Sequence, residues 1–183
     1  MHALIADQDS PTQPRLSSLL GFGCLLLAVS MPPFALGVAW FSAETFVRGL
    51  NLSATLTAGS LSAYQRVVLE VMVLVPTLFE SYGLLCARRC FQSFARGEYF
   101  NLAVVTGLRG FAAGMFLAVI AALLAHPLAS FLLTLFAPAG QHTVSFGVDS
   151  GQLLRLLFCG ILWQIAAVVG KAIRLAQENA QFV

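Results

Sequence analysis

Five ionisable side chains interrupt otherwise apolar runs: Arg66, Glu70, Glu80, Arg109 and Arg155. A lone charge at the centre of a bilayer costs about 3 kcal/mol or more, so such groups pair, face water or do work. Arg66 and Glu70 are one helical turn apart and share a face. Their position along the run places them at the depth of Arg155. Glu80 lies further along, at a depth that Arg109 also reaches. The sequence thus predicts an outer cluster of Arg66, Glu70 and Arg155, and an inner pair of Glu80 with Arg109. Two chemistries fit these groups. They could relay protons or ions, as in a small transporter or channel component, or they could pair between helices and fix the register of a bundle. A relay needs a continuous polar path, and Val71–Leu78 offers only Thr77 between the two carboxylates. The pairing reading is therefore the stronger.

Other chemistries have less behind them. His126 and His142 have no ligand partner at a metal-binding spacing. Cys86 and Cys90 are one turn apart, but no His or third Cys stands near them, which favours buried thiols over a metal site. Cys24 and Cys159 fall inside apolar runs, so the four cysteines do not form a disulfide framework. No nucleophile elbow, phosphate-binding glycine loop or HExxH motif is present. The expectation is a non-enzymatic protein with no cofactor and no metal.

The elements that hold these residues are long and apolar. The chain is 58% hydrophobic and 10% charged, far from the composition of soluble domains. A span needs about 20 apolar residues to cross a hydrocarbon core of roughly 30 Å. Four stretches qualify, at about 16–41, 64–87, 102–127 and 151–172, after a polar, mobile tail at 1–14. The predicted fold is an all-α membrane protein, a single integral domain over 1–183. Arg15, Arg88, Arg89, Arg96, Arg109, Lys171 and Arg174 gather near one side, against Arg48, Arg66 and Arg155 on the other. The positive-inside rule then places both termini and the turn after the second span in the cytoplasm. The formal net charge of +2 is too small to argue for direct nucleic-acid binding. The tail lacks the basic n-region of a secretory signal, so the first run reads as a retained span.

The centre of the chain is a long helical hairpin. Ser62 and Gln65 form a capping box that opens its first helix. Apolar spacing then continues to Arg96, with Gly97 in the position that ends helices. Ser62 to Arg96 is about 52 Å of helix at 1.5 Å per residue, so the last turns stand beyond the core. Asn101 caps the next helix, with Phe100 stapled on Val105. That helix carries Gly110-x-x-x-Gly114, which lets another backbone approach closely. Packing within the chain accounts for this, as does a homodimer through Gly110 and Gly114, and the in-chain reading is preferred. Met31-Pro32-Pro33 predicts a kink or break in the first span.

His126-Pro127 offers an exit from the third span. Leu133–Leu135 and Val144–Val148 then read as strand segments, making Ser130–Val148 a hairpin. With the alternating Leu50–Thr57, this predicts a small extracytoplasmic β element. Asp149 or Ser150 caps the last helix. The elbow of the central hairpin presents Arg88, Arg89, Phe91, Phe94, Arg96, Glu98 and Tyr99, joined by Glu178 from the end of the last helix. Arginines and aromatics on rigid helix ends are the composition of interface anchors. The same residues equally suit contact with anionic lipid headgroups.

The stretch Phe94-Ala-Arg-Gly-Glu-Tyr-Phe-Asn-Leu-Ala-Val-Val-Thr-Gly-Leu-Arg109 resembles the central signature of the domain of unknown function (DUF) 2975 family of bacterial membrane proteins. The ending from Gly170 to Val183 and the Leu-Thr-Leu segment after the third span are also similar to that family. The resemblance implies four membrane helices in the bacterial cytoplasmic (inner) membrane. It also implies a small cytoplasmic helix-turn-helix regulator as partner, because members are often encoded beside one. It carries over no catalytic residue. Tyr99-Phe100-Asn101 departs slightly from that family's Pro-Phe turn.

Overall fold

Ser62 begins the central hairpin as its spacing requires. Its hydroxyl accepts from the Gln65 backbone N–H at 3.3 Å, and the Gln65 carboxamide oxygen accepts from the Ser62 N–H at 2.9 Å. Two N–H groups that a helix start leaves unpaired are thereby satisfied. A computed structural model of the chain describes residues 12–42, 62–98, 101–135 and 147–180. These form four helices: α1 (Thr12–Phe41), α2 (Ala63–Ala95), α3 (Leu102–Thr134) and α4 (Ser150–Ala180). Each is long and apolar enough to cross a membrane. No strand occurs among the described residues.

The helices lie in a row. α1 packs on α2, α2 on α3, and α3 on α4, while α1 makes no contact with α4 among the described residues. Burial is inverted relative to a water-soluble bundle. Ala112, Ala118, Ala166, Ser130 and Thr134 are fully enclosed, whereas Phe22, Phe34, Leu154, Phe158 and Val168 face outward. Apolar surface on this scale is untenable in water but costs nothing in lipid, where small residues instead let helices close on one another.

The seam between α2 and α3 shows why. A Cβ added at Gly114 would stand 2.6 Å from the Gly83 Cα, so the two backbones are almost in touch. Gly107 and Gly110 lie against Cys90 and Cys86, and the Cys90 thiol donates to the Val104 carbonyl at 3.2 Å. The glycine stripe is therefore an in-chain contact, and α2 occupies the surface that a dimer would use at Gly110 and Gly114.

The elbow follows local chemistry. Gly97 sits in the left-handed region at φ 77°, where a Cβ would be strained. Its N–H donates to the Phe94 carbonyl, and that of Glu98 to Ser93. Asn101 then caps α3 by accepting from the Ala103 N–H at 3.1 Å. Phe100, its expected staple, lies outside the described residues. At α4, Asp149 accepts from the Gly151 N–H, and Gln152 accepts from the Asp149 N–H.

Several expectations are corrected. α3 does not exit at His126-Pro127 but continues to Thr134. Pro127 removes one N–H, yet in an apolar solvent any other backbone path would leave more groups unsatisfied. The Ser130 hydroxyl donates to the Pro127 carbonyl at 3.0 Å, and Thr134 to the Ser130 carbonyl at 2.8 Å. Ser130–Thr134 is therefore helix, and the small β element is not supported. Its remaining parts, 50–57 and 136–146, lie outside the described residues. Of the kink or break expected at Pro32 and Pro33, the break does not occur, since α1 is one helix through both, and α1 already includes residues 12–14 of the expected tail.

Candidate functional site

The charged side chains meet different partners from those expected. Glu80 Oε1 on α2 lies 3.8 Å from Arg155 Nη1 on α4, not beside Arg109. Register explains the change. The tight elbow sets Cys90 against Gly107 and Gly83 against Gly114, which brings Arg109 level with Arg88. Glu80 is then about 12 Å further from the elbow than Arg109, at 1.5 Å per residue. Arg109 instead places its guanidinium carbon 6.0 Å from the centre of the Trp163 ring on α4.

The outer cluster is also divided. Arg66 stacks over Trp40 of α1, 5.4 Å from the ring centre. Glu70 lines a narrow recess with Ala39, Trp40, Arg66 and Leu69, and its carboxylate forms no ion pair within 4 Å among the described residues. Arg155 is drawn away to Glu80. Arginine thus ties α1 to α2, α3 to α4, and α2 to α4. Aromatic rings serve as partners in two of these ties, each worth about 0.5–1 kcal/mol where exposed. The two tryptophans were not legible as partners, because nothing local links Trp40 to Arg66 or Trp163 to Arg109.

At the elbow, Arg89, Arg96 and Glu98 are exposed, Arg88, Phe91 and Phe94 are half-buried, and Glu178 is exposed near the end of α4. Tyr99 lies outside the described residues. The Phe91 and Phe94 rings meet edge to face at 6.4 Å. Glu98 accepts from the Asn101 carboxamide at 3.1 Å, which braces the turn. Phe91 packs its Cβ towards Gly21 of α1, so helix packing also uses this residue.

Where α1 meets this end of α2, a crevice of about 520 Å³ opens, lined by Ser17, Ser18, Gly21, Phe22, Arg88, Gln92, Ala95 and Arg96. The recurrence of Arg88, Gln92 and Arg96 at every fourth residue was the available signal for one wall. The serines became part of it only when α1 packed there. Among the described residues, no three His, Cys, Asp or Glu side chains converge as a metal site. No family model matches the chain, and no curated protein or solved structure matches it.

Proposed function

We propose that this is a non-enzymatic, multi-pass regulatory or scaffold protein of a bacterial cytoplasmic membrane, whose elbow docks a soluble protein in the cytoplasm. The observation that carries the reading is the exposed charge of a short elbow between two long helices. α2 runs unbroken to Ala95, α3 restarts at Leu102, and Gly97 and the Glu98–Asn101 bond hold the turn between them. Each of these 33-residue helices is about 50 Å long, some 20 Å more than a hydrocarbon core. A pre-organised projection loses little entropy on binding. The resemblance to the DUF 2975 family supplies the class of partner, a small helix-turn-helix regulator.

Cross-linking in the native host followed by purification tests this. A cytoplasmic regulator captured by the parent and lost in the Arg89→Glu, Tyr99→Ala variant supports the docking reading. The rival, a transporter component, has less support in the geometry. Glu80–Arg155, Arg66–Trp40 and Arg109–Trp163 stand as separate ties with apolar helix between them. Solute or ion flux in liposomes that depends on Glu70 or Glu80, with no soluble partner recovered, would overturn the docking reading.

A further inference from the structure

We infer that the crevice between α1 and α2 at the elbow end is a binding site for the phosphodiester headgroup of an anionic phospholipid. Three observations meet there. First, the crevice has an unbalanced charge. Arg88 and Arg96 both line it, and among the described residues no carboxylate does and neither arginine has an ion-pair partner. Two guanidinium groups converging on one space attract an anion with several acceptor oxygens, and phosphate geometry matches their paired N–H groups.

Second, the wall is built to hold such a group. The Arg96 Nε donates to the Gln92 carbonyl at 3.3 Å, which orients the guanidinium and leaves its terminal nitrogens for a ligand. Ser17 and Ser18 add hydroxyls from α1, and Gln92 adds a carboxamide from α2. Third, one side of the crevice is apolar. Phe22 lines it and is 64% exposed one step further along α1. A polar pocket continuous with an outward apolar helix face suits an amphiphile, with headgroup inside and acyl chains along α1. A soluble phosphate would gain nothing from that face. Arg88 and Arg96 also belong to the elbow surface, but Arg89 and Glu98 do not line this crevice, so variants at those positions separate lipid binding from protein docking.

The full chain is purified in mild detergent and re-lipidated with phosphatidylglycerol or phosphatidylcholine, and retained lipid is counted by native mass spectrometry. Phosphatidylglycerol is expected to be retained in preference, and the Arg88→Gln, Arg96→Gln variant to lose about tenfold or more of that retention. Arg89→Gln, an equal loss of charge per site outside the crevice, should retain it. Ser18→Leu keeps every charge but fills the space, and it too should lose the lipid. Thermal unfolding in the same detergent confirms that each variant is folded. Equal loss in Arg89→Gln, or no loss in Ser18→Leu, would mean diffuse surface attraction and overturn the site. Removal of the lipid by millimolar inorganic phosphate would assign the crevice to a soluble anion and overturn the lipid.

Discussion

The carboxylate of Glu80 and the guanidinium of Arg155 meet at 3.8 Å, although α2 and α4, which carry them, make no backbone contact among the described residues. Both carriers pack on α3. The pair therefore adds a direct tie between α4 and α2, which packing of α3 on α4 alone would not supply. Arg155 is 53% exposed and Glu80 22% exposed, so this is a partly open pair and not a sealed one.

A double-mutant cycle on Glu80→Ala and Arg155→Ala should give a coupling of about 1 kcal/mol in detergent unfolding. A fully buried pair would give about 3–5 kcal/mol when one partner is lost, and that larger value would mean lipid or protein seals the pair more than its exposure implies. Arg109→Ala should show no coupling to Glu80, since their levels differ.

The glycines of the α2–α3 seam should separate by what faces them. Gly114→Ala meets the Gly83 and Phe79 backbone at 2.6–3.0 Å, which cannot rotate away, and should cost about 1–3 kcal/mol. Gly110→Ala meets chiefly the Cys86 thiol, which can turn, and should cost less. Gly160→Ala, with nothing within 4 Å, should be neutral or slightly stabilising through helix propensity. Unfolding midpoints of the three variants in one detergent check the order.

Gly97→Ala places a Cβ at φ 77° and should cost about 1 kcal/mol, while Gly97→Asn should cost less because Asn tolerates that region. If the elbow's conformation presents the docking surface, Gly97→Ala should also weaken capture of the soluble partner. Co-purification yield alongside the unfolding midpoint reads both.

Reporter fusions fix the topology. Fusions at either terminus and at Gly97 should be active only with a cytoplasmic reporter, and a fusion at Gly140 only with an external one. Four crossings put both termini on the elbow's side, so the opposite pattern would reverse the docking proposal and the lipid leaflet together.

What the sequence determined by itself was local. The Ser62–Gln65 box, Gly97 and the Asn101 cap all act over two to four residues, and each formed as its side-chain chemistry dictates. The four apolar helices were legible for a similar reason, because hydropathy summed over about 20 residues leaves few alternatives. The end of α3 was not. Pro127 and the β-like Leu133–Leu135 are local signals, and the need to satisfy every backbone group in an apolar setting overrode them. Nor were the partners of Glu80 and Arg109. Their levels depend on how closely Gly83 and Gly114 let two helices approach and where the elbow sets their register. The crevice at Arg88 and Arg96 depended on more still, since its opposite wall belongs to α1, far away in sequence. Only packing between helices decides which side chains share a space, and no spacing along one helix encodes it.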